Sequence, residues 1–212
     1  MINVSLLDFN EPCGFEPKIP VHQSEIKARI DESSDKSLRQ KRLISYSFLL
    51  KSYAKIYKKE PPLIVFSELG KPSFAEGNIK VSLSHTDGFC AVAFSEKEVG
   101  VDIETTEKLE KNSRSIARFV NNGVKNALKS AKKADVMIDT CVLKNGIIRS
   151  SRESFLHTED ENDAHLWCAL EAALKCKEGF SAYPRIAEIC RAASISTLVL
   201  KEKAVLSVAS LE

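Results

Sequence analysis

The chain has little excess charge of either sign. Its 31 Lys and Arg stand against 29 Asp and Glu, a net charge of +2. That gives no case for a nucleic-acid binder, which usually carries a strong basic excess. It has no apolar run long enough to span a membrane. Its first residues, Met1-Ile2-Asn3-Val4-Ser5-Leu6-Leu7-Asp8, lack the basic start and apolar stretch of a signal peptide. The expectation is a cytoplasmic protein with no membrane partner. Of the six cysteines, Cys13, Cys90, Cys141, Cys168, Cys176 and Cys190, no two stand at the C-x₂-C spacing of a zinc or redox site. Several lie among apolar residues, so buried free thiols in a reducing compartment are expected. Internal repeats and low-complexity tracts are absent too. What remains is an ordinary globular composition, 43% hydrophobic and 28% charged over 212 residues, enough for one large domain or two small ones.

The stretch that organises the rest is Val99-Gly100-Val101-Asp102-Ile103-Glu104. Apolar and polar residues alternate there with the period of a strand. One face is apolar and can pack on a core. The other carries two carboxylates side by side, which repel and seek a partner. A hard divalent cation such as Mg²⁺ suits oxygen ligands of this kind, and solvent is the competing partner.

In chain order, residues 2–9 read as a strand and Ser34-Asp35 as a helix N-cap. Leu43, Tyr46, Leu50, Tyr53 and Tyr57 then recur at helical spacing up to Pro61-Pro62. Residues 63–66 read as a short strand and Gly70-Lys71-Pro72 as a turn. Residues 79–104 read as a three-stranded antiparallel meander, with His85 at a strand end. A helix is expected over 113–134, breakable at Gly123. Asn145-Gly146 signals a hairpin, and His157 to Asp163 an acidic loop. A helix from Ala164 to Lys177 carries Trp167, Leu170 and Leu174 as its apolar stripe and is closed by Gly179. Glu171 lies close to that stripe, where a carboxylate costs several kcal/mol unless paired or metal-bound. Lys175, four residues on, offers an ordinary ion pair. The tail reads as strands at Ile186–Ile189, Thr197–Leu200 and Val205–Val208, the last two forming a hairpin.

Four pieces stand in a fixed order: Gly70-Lys71-Pro72, Ser82-Leu83-Ser84-His85-Thr86, Gly100-Val101-Asp102-Ile103-Glu104 and Trp167-x-x-x-Glu171-Ala172-x-x-Lys175. Together, over roughly residues 40–180, they resemble the 4′-phosphopantetheinyl transferases of the larger, pseudo-dimeric type. Arg118-Phe119 is similar to that family's Arg-Phe pair. The resemblance implies an α+β fold of two similar halves, about 1–100 and 101–212. Each half would have a small antiparallel sheet on a long helix, near 35–58 in the first and near 113–134 in the second, with a pseudo-two-fold between the halves and the metal-binding acids in the second. It implies transfer of phosphopantetheine from coenzyme A to a serine of an apo acyl or peptidyl carrier protein, with Mg²⁺, releasing 3′,5′-ADP. Asp102, Glu104 and Glu171 would hold the metal. Arg42, Lys71, Pro72, Ser84, His85 and Lys175 would contact coenzyme A. Glu171, with Lys175 beside it, would serve the chemistry as base. An internally duplicated fold implies a monomer.

The chain departs from the family at Leu170, where a lysine is common, and at Ser82 and Thr86 of the serine-histidine piece. The stretch between Glu104 and Glu171 is longer than expected. Residues 121–162 are therefore read as an insertion bordering the carrier surface, where it would tune carrier choice. The competing reading is a homologue that binds coenzyme A or a carrier without transfer. An unrelated Mg²⁺ phosphatase or nuclease would need a second cluster rich in Asp and His, which the sequence lacks.

Overall fold

A computed structural model describes residues 1–8, 17–144, 147–151, 162–177, 179–200 and 203–211. The fold is α+β. Among the described residues no helix is long and apolar enough to cross a membrane. Cys13, the side chain of Cys141 and most of the acidic stretch from His157 lie outside the described residues.

The first half begins with strand β1 (Ile2–Asp8) and helices α1 (Ser24–Asp31) and α2 (Lys36–Tyr57). Asp35 caps α2, its side chain accepting from the backbone N–H groups of Ser37 and Leu38. Lys58, with φ of 56°, ends that helix in the left-handed region ahead of the two prolines. Strands β2 (Ile64–Phe66) and β3 (Pro72–Phe74) pair around the Gly70-Lys71 turn. Strands β4 (Lys80–Thr86) and β5 (Phe89–Ser95) form a hairpin, and β5 continues antiparallel onto β1.

The second half opens with β6 (Val99–Thr105) and helices α3 (Thr106–Lys111), α4 (Ser113–Phe119) and α5 (Asn122–Lys129). Next come the two-residue strand β7 (Lys132–Lys133), strands β8 (Val136–Lys144) and β9 (Ile147–Ser151), and helix α6 (Asp163–Cys176). A 3₁₀ turn over Gly179–Arg185, helix α7 (Ile186–Ala192) and the hairpin β10 (Ala193–Leu200) and β11 (Ala204–Leu211) complete it. The first sheet runs β4-β5-β1-β8-β9 and the second β6-β11-β10-β7.

The same order of parts occurs twice. In β1-α2-β4-β5 and again in β6-α6-β10-β11, the last strand sits antiparallel between the first and the third. Each set also gains a parallel strand at an edge, β8 on β1 and β7 on β10.

Strand alternation sets the layers. Cys90, Val92 and Phe94 of β5 face α2, with Phe48, Leu49 and Tyr53. Phe89, Ala91 and Ala93 face the other way, onto Val99, Val101 and Ile103 of β6 and Leu206 and Val208 of β11. Beyond the second sheet, Val205 and Ala209 pack on Leu170, Leu174 and Cys176 of α6. The order through the molecule is therefore helix, sheet, sheet, helix.

Four expectations are corrected. The stretch 79–104 is not one meander: β6 leaves the β4-β5 hairpin and pairs with β11. The 113–134 helix is two helices broken at Val120, with Asn121 capping the second, while Gly123 lies inside it. The long helix of the second half is α6. Ile186–Ile189 is helical, burying Ile186, Ile189 and Cys190 on one face.

Candidate active site

The site is built where β6 meets α6. Alternation sends Val99, Val101 and Ile103 into the core between the sheets, so Gly100, Asp102 and Glu104 take the face toward α6. Gly100 allows a close approach: a Cβ there would overlap the carbonyl oxygen of Ala172 and lie 2.8 Å from the backbone nitrogen of Cys176. That contact seats α6 at the residues directly after Glu171 and Lys175.

Asp102 is only 4% exposed. Its Oδ1 accepts from Lys175 Nζ at 2.6 Å and from Ser84 Oγ at 2.9 Å. Lys175 Nζ also reaches Ser84 Oγ at 3.0 Å. Burial alone would push the Asp102 carboxyl up, but the Lys175 charge and the bonds from Lys175 and Ser84 outweigh it and hold it below the usual carboxylate range. For Lys175 burial opposes the charged form; Asp102 and Glu171 outweigh it and keep the ammonium. Glu171 goes the other way. Burial and then the Asp102 charge push its carboxyl up to about 8, against the pull of Lys175.

Glu104 stands two residues along. Its Oε1 accepts from the Thr86 hydroxyl and, at 2.9 Å, from the Thr105 N–H, and its Oε2 lies 3.1 Å from Lys108 Nζ. Alternate hydroxyls of β4 thus stitch the hairpin to β6. Ser82 Oγ accepts from Val101 N–H at 3.1 Å, Ser84 Oγ accepts from Ile103 N–H at 3.3 Å, and Thr86 donates to Glu104. This use of Ser82 and Thr86, and Lys108 as the partner of Glu104, escaped the sequence reading. Lys108, four residues after Glu104, was the available signal.

The other expected residues are placed as follows. Lys71 and Pro72 line a pocket of about 230 Å³ with Gly70, Ser82 and Lys175. Lys71 Nζ itself bonds to Glu98 Oε2 at 3.1 Å and to the Cys176 carbonyl at 3.0 Å. His85 takes the face of β4 opposite Ser84, toward α2. Burial, then the charges of Lys175, Lys41 and Lys108, lower its pKa and favour the neutral ring. Arg42 is apart from the acids, donating to the Arg29 carbonyl at 2.5 Å. Leu170 is fully buried in the second core. A lysine there would bury its charge among apolar side chains. Phe119 lies against Trp167 and Tyr183, with ring centroids 5.6 and 5.7 Å away.

Two larger hollows, of about 510 and 690 Å³, lie beside Arg185 and Glu188 and beside Lys51 and Lys58. Neither holds a candidate residue, so chemistry and not volume marks the site.

Among the described residues no three His, Cys, Asp or Glu side chains stand as a ready metal cluster. The donors nonetheless fit a hard cation. Among the described residues Asp102 Oδ2 is buried with no hydrogen-bond partner, and the charge of Asp102 opposes ionisation of its neighbour Glu171. An extra positive charge would relieve both.

No family model matches the chain, and a search of curated proteins finds no significant match.

Proposed function

We propose that the chain is a 4′-phosphopantetheinyl transferase of the larger, pseudo-dimeric type, acting in the cytoplasm on coenzyme A and an apo acyl or peptidyl carrier protein. One observation carries the reading. Asp102 from β6 and Glu171 and Lys175 from α6 stand together, and Lys175 also lines the pocket of Gly70, Lys71 and Pro72. The twice-used β-α-β-β order supports a pseudo-two-fold architecture and a monomer.

Transfer forms a bond from the carrier serine oxygen to the phosphopantetheine phosphorus. It breaks the bond from that phosphorus to the bridging oxygen, and 3′,5′-ADP leaves with the electron pair. Asp102, Glu104 and Glu171 would hold Mg²⁺, which when bound neutralises pyrophosphate charge and lets the three carboxylates ionise together. Ionised Glu171 accepts the proton of the serine hydroxyl. Lys175 supplies a point charge for a phosphate oxygen, and Asp102 and Ser84 hold its ammonium in place. The neutral His85 ring offers one N–H donor to phosphate. Positioning and electrostatic stabilisation do most of the work in such transfers.

The test is mass spectrometry of a panel of apo carrier proteins incubated with the chain, coenzyme A and Mg²⁺. The expected result is a gain of one phosphopantetheine on at least one carrier, with 3′,5′-ADP released. Leu170, fully buried where the family commonly has a lysine, favours a second reading, a binder of coenzyme A or a carrier without transfer. Calorimetric binding of coenzyme A with no mass gain on any carrier would establish it.

A further inference from the structure

Lys71 does more than line a pocket. Its turn is closed by Ser67 N–H to the Lys71 carbonyl at 3.0 Å, Gly70 N–H to the Ser67 carbonyl at 2.8 Å, and Lys71 N–H to Ser67 Oγ at 3.1 Å. Gly70 has φ of 81°, and a Cβ there would collide with the guanidinium of Arg29. That guanidinium lies 5.7 Å from the Phe66 ring centroid, so the first half braces the turn from behind. From this braced turn the Lys71 side chain crosses to the second half. Its ammonium lies 3.0 Å from the carbonyl of Cys176 and 3.4 Å from that of Lys177. These are the last residue of α6 and its cap. Carbonyls at a helix C-terminus lack intrahelical partners and attract a cation. Glu98, the residue before β6, completes the arrangement at 3.1 Å from Lys71 and 3.5 Å from Lys80.

We propose that Lys71 is a positioning residue, a tether from the first half that fixes the C-terminal end of α6 and so sets Glu171 and Lys175 against Asp102. The assignment rests on the transferase reading for its catalytic consequence, but the tether itself does not. Gly100 packs against the backbone of Ala172 and Cys176, Cys176 Sγ donates to the Ala209 carbonyl at 3.3 Å, and Lys175 is held by Asp102 and Ser84; Lys71 alone of these side chains caps the terminal carbonyls. Removing it loosens the last turn, and Lys175 lies in that turn.

The test compares Lys71→Met and Lys71→Arg with the unaltered protein. Amide hydrogen exchange is followed at residues 173–177 without ligand. Coenzyme A binding and carrier turnover are measured alongside. Loss of a charged hydrogen-bond donor predicts roughly tenfold faster exchange in Lys71→Met, with arginine restoring most of the protection. Turnover falls in Lys71→Met while the dissociation constant of coenzyme A changes less than the turnover does. Unchanged exchange at 173–177 overturns the tether. So does weaker coenzyme A binding with turnover intact at saturation, which makes Lys71 a simple phosphate contact. If the unaltered protein neither binds coenzyme A nor modifies a carrier, the transferase reading fails, and the exchange result still decides the tether.

Discussion

Glu171 and Asp102 are two carboxyls given opposite tendencies by their surroundings. Asp102 is held ionised by Lys175 and Ser84, while burial and Asp102 push Glu171 up to about 8. Glu171→Gln keeps the shape and removes both the base and a ligand. Its expected effect is loss of carrier modification with the circular dichroism spectrum unchanged; full activity would remove Glu171 from the mechanism. The same acids make a prediction about metal. A ligand that binds only the folded state raises the unfolding temperature. MgCl₂ should therefore raise the thermal midpoint of the unaltered protein and leave that of Asp102→Asn where it was. An equal rise in both, by differential scanning fluorimetry, would place the ion elsewhere.

Between β6 and α6 the decisive residue has no side chain. Adding one methyl at Gly100 places it on the α6 backbone at Ala172 and Cys176, and helix or strand must move. Overpacking of this kind costs about 1–3 kcal/mol. Gly100→Ala should lower the unfolding free energy measured in urea by that amount and reduce turnover more than the stability loss alone explains. The glycine was visible in the sequence as part of an alternating strand, but its reason was not, because the helix that demands it begins more than sixty residues later. The same limit governs β6. Its period identified the strand and the face of Asp102 and Glu104, yet local pattern is silent on partners, and β11 rather than β5 takes its edge. The stretch Ile186–Ile189 is rich in β-branched residues and reads as strand by propensity; burial of Ile186, Ile189 and Cys190 at helical spacing overrides it. Helix α1 was missed because only Ile26 and Ile30 are buried on it, too sparse a stripe to stand out. The helix with Trp167, Glu171 and Lys175 was legible throughout, since its apolar period is regular.

Across the whole molecule, buried thiols and a borrowed strand set conditions for stability. Burial pushes Cys90, Cys176 and Cys190 up to about 12 from an ordinary 9.0. Each thiol is raised in the folded state, so its contribution is fully present below pH 9 and is lost as pH rises toward 12. Unfolding free energy should fall steadily over that window, and alkylation of these thiols at pH 8 should wait for unfolding. The strand is β8. It lies within residues 121–162, yet it joins the first sheet, in parallel register from Ile2↔Val136 to Asp8↔Val142. Val136 and Ile138 also pack on the core between the sheets. Excising residues 136–151 would therefore leave the whole of β1 as an open edge, with unpaired N–H and carbonyl groups that invite pairing with other chains. The expected product has a lower thermal midpoint and scatters light at micromolar concentration. Under the transferase reading, a change of carrier preference should then be sought by exchanging the β8-β9 hairpin for another of equal length, not by trimming it. A trimmed protein that stays monomeric and equally stable would mean that β8 only rests against the sheet, and that the first half is complete at β1.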